Sequence, residues 1–257
     1  MRIVRFKDAA GETVATRWGV VEGESVFETD GPGGERTGVR LAMERLNLKA
    51  PAQPTKIICV GRNYVNHIRE MENDAENLPA EPGLFMKGPN ALADPGVSVP
   101  YPAFTREFHY EGELAVVMAA QTAAGANVLE NVLGYTAAID LTAREPQRND
   151  LQWIRAKSAD MFCPLGPWLE TDIDPFDATV RTIVNGRERQ HGSTTDMLFP
   201  VKVILEYITS FMTLEQGDIV LTGTPEGVGE LHEGDKVEVH IGGLGAPLTM
   251  SVGDRRS

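Results

Sequence analysis

Cysteine is scarce in this sequence, with Cys59 and Cys163 the only two in 257 residues. Two cysteines cannot form the disulfide framework on which small secreted domains depend. Each lies in an apolar stretch, where a free cysteine packs as a small hydrophobic residue. The sequence therefore predicts buried free thiols, a reducing compartment and a cytoplasmic protein.

Positive charge and long apolar runs are scarce as well. Lys and Arg number 24 against 37 Asp and Glu, which gives a net charge of −13 at pH 7. Such a chain has no general attraction for a phosphate backbone or an anionic membrane surface. No apolar stretch approaches the roughly 20 residues that cross a bilayer. The N-terminal stretch Met1–Asp8 turns polar too early for a signal peptide. We therefore expect neither a nucleic-acid nor a membrane partner.

The overall composition is that of an ordinary globular protein, with 42% hydrophobic and 24% charged residues. Residues 1–55 are predicted to form a small β-rich module, with a hairpin turn at 10–12 and a helical stretch over Val39–Leu46. A linker is predicted at 50–54. The strands predicted in this module are Ile3–Phe6, Val14–Val20 and Ser25–Glu28.

Residues 56–257 are predicted to form the main domain, which alternates too little between strand and helix for a doubly wound sheet. The polar segment 62–81 is a candidate mobile lid. Asn185-Gly186 predicts a tight hairpin turn, and Val201–Met212 predicts one long helix. The predicted fold class is α+β, mainly β. The strands predicted in this domain are Lys56–Val60, Leu84–Lys87, Leu114–Met118, Val132–Ile139, Trp168–Leu169, Thr179–Val184, Asp218–Leu221, Lys236–His240 and Leu248–Val252.

Acidic residues adjoin two apolar strands. In an extended stretch, His109, Glu111 and Glu113 share one face, because side chains alternate. Asp140 ends the apolar strand Val132–Ile139. Together these three carboxylates would suit a hard divalent ion such as Mg²⁺ or Mn²⁺. The alternatives are a solvated strand end for the glutamates and a helix cap for Asp140.

The candidate lid and two later stretches carry further polar groups. His67 and Glu70 are three residues apart and meet on one helix face, an arrangement that suits a general base or a plain surface ion pair. Lys157 is either solvated or, beside a metal site, able to stabilise an enolate. The Gly-rich stretch 222–229 lacks the Gly-Lys-Ser/Thr sequence of a phosphate loop, and its Thr224 is either part of a turn or able to hold an anionic group.

Six motifs in a fixed order resemble the fumarylacetoacetate hydrolase superfamily over about residues 56–252. They are Gly61–His67, His109–Leu114, Tyr135–Arg144, Ala156–Ser158, Val184–Gly186 and Gly217–Pro225. The resemblance implies a β-sandwich or β-roll catalytic domain, usually a homodimer, and implies that residues 1–55 form the small N-terminal module of some bacterial relatives.

The resemblance also implies a set of site residues. Mg²⁺ or Mn²⁺ would be bound by Glu111, Glu113 and Asp140. Catalysis would use His67, Glu70 and Lys157. The groups that would bind a small-molecule 2-oxo acid are Arg62, Tyr64, Arg144, Gln147 and Thr224.

The motifs are most similar to the short acylpyruvase and oxaloacetate decarboxylase type. This type implies hydrolysis of the C–C bond of acylpyruvates, or decarboxylation of oxaloacetate, through an enolate. Bacterial relatives that isomerise or decarboxylate muconate-type dioates share most of these motifs and are the alternative. A non-catalytic metabolite-binding domain is a further alternative. The segment Arg62-Asn63-Tyr64 lacks the fourth acidic ligand of the larger eponymous hydrolase, which argues against fumarylacetoacetate as the substrate.

Overall fold

The structure is a computed structural model that describes residues 1–9, 15–72 and 78–255, with the side chains of residues 71 and 72 outside the description. Strands dominate these residues. They are β1 (Arg2–Asp8), β2 (Arg17–Glu22), β3 (Ser25–Thr29), β4 (Arg36–Ala42), β5 (Leu46–Lys49), β6 (Ile57–Gly61), β7 (Gly83–Lys87), β8 (Leu92–Ala93), β9 (Ser98–Pro100), β10 (Phe108–Tyr110), β11 (Gly112–Met118), β12 (Val132–Ile139), β13 (Thr142–Ala143), β14 (Cys163–Glu170), β15 (Thr179–Val184), β16 (Arg187–Ser193), β17 (Ile219–Leu221), β18 (Gly229–Glu230), β19 (Lys236–Ile241) and β20 (Leu248–Gly253). The α-helices are α1 (Val65–Glu72), α2 (Arg144–Asn149), α3 (Ile154–Lys157) and α4 (Val201–Thr209).

The strands form three sheets. The largest has the order β4-β3-β2-β1-β14-β12-β11-β17-β6-β7, with β5 added on β1 and β8 on β14. The second has the order β16-β15-β19-β20-β9, and the third is β13-β10-β18. Strands β11 and β12 of the largest sheet contact β15 and β19 of the second. Their apolar side chains form the core between the two sheets, as the complete burial of Val116 and Val239 shows. The predicted mainly β fold class is confirmed.

The N-terminal segment continues the largest sheet. Strand β1 pairs with β14 through Arg2↔Glu170 and Ile3↔Leu169. The predicted helix over Val39–Leu46 is wrong, because that stretch contains the end of β4, a short 3-10 turn and the start of β5. Val39 and Leu41 alternate as in a strand, and pairing with β3 satisfies the backbone of β4.

Several other predicted elements are confirmed. Val132–Ile139 and Thr179–Val184 have their predicted bounds, and the other predicted strands overlap observed ones. Asn185 and Gly186 form the predicted turn with φ of 51° and 74°. The long helix ends at Thr209, three residues early.

The predicted turn at 10–12 and residues 73–77 of the candidate lid lie outside the described residues. Strand β16 was not predicted, because its mostly polar sequence lacks an apolar alternation. Among the described residues, no helix has the length and apolar character needed to cross a membrane.

Candidate metal centre and active-site cleft

A break in one extended stretch shapes the acidic cluster. The alternating run predicted through His109 and Glu113 is interrupted at Glu111, between β10 and β11. Strand β11 pairs with β12 through Gly112↔Ile139. The backbone N–H of Asp140 therefore reaches the carbonyl of Glu111, at 2.8 Å. This pairing brings the ends of two apolar strands together, each with a carboxylate.

The three predicted ligands meet in the protein interior. Glu111, Glu113 and Asp140 are 5%, 2% and 0% exposed. One carboxylate oxygen from each lies within 4.8 Å of the others. Asp140 does not cap a helix, since β13 follows it, and the glutamates are not at a solvated strand end.

Three buried cations surround two of these carboxylates. Lys157 Nζ lies 2.8 Å from Glu111 Oε2 and 2.7 Å from Asp140 Oδ2. Lys87 Nζ lies 2.6 Å from Asp140 Oδ1, and Arg144 Nη2 lies 2.5 Å from Glu111 Oε1. Burial disfavours the charged form of Glu111, but Lys157 and Arg144 outweigh it and hold the pKa of Glu111 well below its usual value. Burial also opposes charge on Lys157, yet Asp140 and Glu111 raise its pKa.

Glu113 differs from its neighbours because no ion pair with it is found among the described residues. Its Oε2 accepts a hydrogen bond from the backbone N–H of Gly223, at 2.6 Å. Burial, followed by the negative charges of Asp140 and Glu111, raises the pKa of Glu113 well above its usual value. Among the described residues, Glu113 thus has no cation in direct contact to balance its charge.

This donor set fits a hard divalent ion. The three carboxylates supply only oxygen ligands, which Mg²⁺ and Mn²⁺ prefer over nitrogen and sulfur. Their oxygens are close enough together to share one ion. An ion there would also supply the positive charge that Glu113 lacks.

A cleft of about 360 Å³ opens beside the acidic cluster. Eight of the predicted site residues line it. Its apolar wall includes Phe85 and Trp153, whose rings meet edge to face at 5.5 Å. The predicted residues that line the cleft are Arg62, His67, Glu111, Glu113, Arg144, Gln147, Lys157 and Thr224.

Three predicted residues lie behind this lining. Asp140 is covered by Lys87 and Lys157. Glu70 contacts the lining residue His67. Tyr64 is 1% exposed, and its hydroxyl has no hydrogen-bond partner among the described residues. Tyr64 is not among the residues that line the cleft, so no contact supports the substrate-binding role predicted for it.

The lid helix α1 rests on the Gly-rich stretch 222–229. Glu70 Oε2 lies 3.4 Å from His67 Nδ1, and its carboxylate accepts hydrogen bonds from the N–H of Gly227. Burial raises the pKa of Glu70, but the His67 and Gly227 contacts outweigh it and lower that pKa overall. Glu70 therefore stays ionised beside the imidazole and can orient it.

The histidine of the acidic motif, His109, has a different environment from His67. His109 lies in β10, and its Nδ1 is buried without a hydrogen-bond partner among the described residues. Burial, followed by the positive charge of Arg144, lowers the pKa of His109 to about 4. The His109 imidazole is therefore neutral at pH 7.

Sequence reasoning missed several residues of the site. Lys87 is fully buried and donates to the carbonyls of Leu141 and Phe162 as well as pairing with Asp140. A lysine that ends an apolar strand is a weak signal of such a role. Gln190 and Arg148 also contact or line the site, and neither has a local sequence pattern that marks it.

The fold and site define a mainly β protein with a buried three-carboxylate centre beside a cleft that helix α1 helps to line. The family described as fumarylacetoacetate (FAA) hydrolase C-terminal matches residues 56–250, and one described as Rv2993c-like, N-terminal matches residues 1–51. The chain belongs to the fumarylacetoacetate hydrolase family.

Among curated relatives, the mitochondrial oxaloacetate tautomerase FAHD1 of Bos taurus is 43% identical over 196 residues, which cover 73% of this chain and 87% of the relative. A crystal structure of 2-hydroxyhepta-2,4-diene-1,7-dioate isomerase from Mycobacterium marinum matches with a TM-score of 0.88, 37% identity and full coverage of both chains. Fumarylpyruvate hydrolase from Pseudomonas aeruginosa, in complex with Mn²⁺ and pyruvate, matches with a TM-score of 0.73 and 29% identity over 81% of this chain and 92% of that one. The chain is thus similar to an isomerase, a hydrolase and a tautomerase.

Proposed function

We propose that the protein is a divalent-metal-dependent enzyme that hydrolyses the C–C bond of acylpyruvates. The observation that carries the proposal is the buried cluster of Glu111, Glu113 and Asp140 beside a cleft that His67 also lines. Buried carboxylates are costly unless they are paired, so their convergence favours a functional site over a structural one. The names of the three relatives support a 2-oxo acid or its enol form as the substrate.

The three carboxylates would hold Mg²⁺ or Mn²⁺. The Mn²⁺ and pyruvate bound to the fumarylpyruvate hydrolase support this choice of ion and ligand. When bound, such an ion supplies Lewis-acid chemistry, since it polarises a keto oxygen and neutralises a carboxylate.

Hydrolysis assigns roles to His67, Glu70 and Lys157. His67, oriented by Glu70, takes a proton from a water molecule whose oxygen attacks the distal carbonyl carbon. The C–C bond on the pyruvyl side of that carbon then breaks. Its electron pair goes to the pyruvyl fragment as an enolate, which takes up a proton to become pyruvate. Lys157 lines the cleft, and its positive charge would stabilise this enolate.

The cationic side chains of the cleft favour an anionic substrate. Arg144 and Lys157 pair with Glu111, and Lys157 also pairs with Asp140 behind the lining. A divalent ion held by the carboxylates would add positive charge beside them, which favours the carboxylate of a 2-oxo acid.

Tautomerisation, isomerisation and decarboxylation are the second candidate function. The His67–Glu70 pair favours the first two, because it can move a proton along a conjugated 2-oxo acid without an attacking water. Oxaloacetate decarboxylation would use the same enolate after loss of CO₂. The names of the tautomerase and isomerase relatives support this group of reactions.

Ultraviolet loss of acetylpyruvate and fumarylpyruvate, measured with Mg²⁺, with Mn²⁺ and after EDTA, tests the proposal. We expect metal-dependent loss that yields one pyruvate per substrate consumed. Absorbance change without pyruvate would indicate isomerisation, and CO₂ release from oxaloacetate would indicate decarboxylation. Turnover that survives EDTA would contradict the metal dependence, and no reaction with any substrate would favour a metabolite-binding domain.

Two expectations from the sequence stay predictions. Sedimentation velocity would test the homodimer that the family implies. Fractionation of the source cells would test the cytoplasmic location.

A further inference from the structure

Two aromatic rings form an apolar wall of the cleft. Phe85 belongs to strand β7, and Trp153 immediately precedes helix α3. The rings meet edge to face, with their centres 5.5 Å apart. Gly61, at the end of β6, faces both rings, since a methyl group added there would lie 3.9 Å from a carbon of each. Three elements of the fold thus bring one apolar surface to the cleft, which Gly61, Phe85 and Trp153 all line.

Helix α3 connects this aromatic wall to Lys157. The backbone N–H of Lys157 donates to the carbonyl of Trp153, at 2.9 Å. The ammonium group of Lys157 lies over the ring of Phe85, 5.0 Å from its centre, where the ring face attracts a cation. The same ammonium group lies 2.8 Å from Glu111 Oε2. Lys157 therefore adjoins both the carboxylate cluster and the aromatic wall.

The aromatic wall leaves much apolar surface accessible. Trp153 is 38% exposed, and Phe85 is half-buried. On the same segment as Trp153, Leu151 and Ile154 are 95% and 71% exposed. Apolar surface that is concentrated in this way marks sites that bind a ligand or another protein. An apolar group that binds against the wall gains the free energy of removing both surfaces from water.

The length of an acylpyruvate matches this arrangement. One methylene carbon separates its keto carbon from its distal carbonyl carbon, which places the two about 2.5 Å apart because each C–C bond is about 1.5 Å long. The pyruvyl end is the part that suits the carboxylate cluster and Lys157. With that end bound there, the acyl substituent is the part of the molecule that meets Phe85 and Trp153.

The ion pairs of the cleft favour an apolar substituent over a charged one. Lys157 and Arg144 are paired with Glu111, and Arg148 is paired with Glu107. A carboxylate on the acyl group would compete with these pairs and would lose hydration against the two rings. An apolar acyl group has neither cost.

We propose that Phe85 and Trp153 are specificity-determining residues that select acylpyruvates with a large apolar acyl group over those with a small or a carboxylated one. The polar groups of the cleft bind the 2-oxo acid unit, and the aromatic wall binds the acyl substituent. This selection rests on the proposed function for the reaction that follows, but the selection itself is a property of binding.

Three stable oxamates measure binding without turnover. Oxamate carries the 2-oxo acid unit alone, N-benzyloxamate adds a phenyl ring at the position of the acyl substituent, and N-oxalylglycine adds a carboxylate there. In isothermal titration with Mn²⁺ present, we expect wild type to bind N-benzyloxamate at least about 10-fold more tightly than oxamate, as for burial of an aromatic ring. Trp153→Ala should remove most of this gain at unchanged oxamate affinity, and Phe85→Leu should remove part of it.

Kinetics make the same comparison with substrates. Acetylpyruvate and hexanoylpyruvate have equally substituted distal carbonyls and differ in the length of an apolar chain. We expect kcat/KM to be at least about 10-fold higher for hexanoylpyruvate, and this ratio to fall in Trp153→Ala. Phe211→Ala is the matched control, because Phe211 is exposed and forms a similar edge-to-face pair with Tyr207 outside the cleft lining. Its ratio should equal that of wild type.

Two binding results would overturn the inference. One is N-oxalylglycine that binds more tightly than N-benzyloxamate, because the cleft would then select a second carboxylate, which Arg62 also lines the cleft to meet. The other is a gain for N-benzyloxamate that Trp153→Ala leaves intact. If Trp153→Ala and Leu151→Ser change the sedimentation coefficient and not this gain, the segment is instead a contact between copies of the chain.

Failure of the proposed function has a different signature. Wild-type protein that prefers N-benzyloxamate through Trp153 but cleaves no acylpyruvate would contradict the hydrolysis and retain the selection. Cleavage of acetylpyruvate and hexanoylpyruvate at equal kcat/KM would retain the hydrolysis and contradict the selection. Binding of none of the three oxamates would contradict both.

Discussion

The backbone N–H of Gly227 donates to both carboxylate oxygens of Glu70, at 3.2 and 3.1 Å. Glu70 belongs to the lid helix, and Gly227 belongs to the loop that carries Thr224. The same carboxylate faces Nδ1 of His67. Because the Glu70 carboxylate contacts both Gly227 and His67, the position of the loop that contains Gly227 influences how the His67 imidazole is oriented.

Replacing Glu70 with glutamine should separate catalysis from metal binding. The amide keeps the size of the side chain but loses the charge that orients His67, so we expect kcat to fall about 100-fold. Mn²⁺ affinity should not change, since Glu70 lies outside the carboxylate cluster. Steady-state kinetics and Mn²⁺ titration measure both. Arg69→Gln on the same helix is the control, and an unchanged kcat in Glu70→Gln would exclude the pair as the base.

Tyr110 binds the other backbone group of the same glycine. Its hydroxyl donates to the carbonyl of Gly227, at 2.8 Å, whereas Tyr101 donates to the carbonyl of Arg106, at 2.9 Å, away from the cleft. We expect Tyr110→Phe and Tyr101→Phe each to lose about 1 kcal/mol of unfolding free energy. Only Tyr110→Phe should also lower kcat. Urea unfolding and kinetics of the two variants test this, and equal effects on kcat would rule out a special role for Tyr110.

Glu113→Gln tests the metal centre directly. The amide oxygen can still accept from Gly223, but it is a weaker ligand than a carboxylate, so we expect Mn²⁺ affinity to fall at least about 10-fold together with turnover. The metal-free variant should melt no lower than wild type, because a buried carboxylate without a cation is removed. Mn²⁺ electron paramagnetic resonance and calorimetry measure these effects. Glu206→Gln on the exposed face of α4 is the control. Wild-type metal content in Glu113→Gln would refute the assignment.

The cluster of three carboxylates could be predicted because part of its signal is local. A carboxylate such as Asp140 at the end of an apolar strand stands out in the sequence, and Glu111 and Glu113 stand out in the same way. The central residues of most strands could be predicted for the same reason, since alternation and apolar runs are short-range patterns. The wrongly predicted element at 39–46 is a short stretch whose apolar spacing suits both helix and strand.

Residues that act through long-range contacts could not be predicted. Gln190 is 78 positions from Gly112, and Lys87 is 70 positions from the residue whose carbonyl it contacts, Lys157. Neither has neighbours in sequence that require a polar group there. Only the pairing of the strands brings them to the site, and one sequence does not encode that pairing locally.

Asp218 is a buried acid that lies outside the carboxylate cluster and contacts Lys56, just before β6. Its carboxylate accepts from the N–H and hydroxyl of Thr55, both at 2.8 Å, and from the N–H of Glu215 at 2.8 Å. Lys56 Nζ lies 2.5 Å away. Burial would raise the pKa of Asp218, but Lys56 and these donors outweigh it and lower that pKa overall.

Asp218→Asn should therefore change how stability depends on pH. A folded-state pKa below the unfolded value means that the ionised carboxylate stabilises the fold above the unfolded pKa, and that this contribution is lost as the pH falls through the folded pKa. We expect Asp218→Asn to lose about 2 kcal/mol at pH 7, as for hydrogen bonds to a buried charge. The difference from wild type should stay constant down to about pH 5 and shrink below about pH 4. Urea unfolding from pH 7 to pH 3 measures it, with the surface pair variant Asp150→Asn as a control that changes much less. A difference that stays constant down to pH 3 would show that the contacts of Asp218 do not depend on its charge, and one that widens toward acid would mean that folding raises the pKa of Asp218.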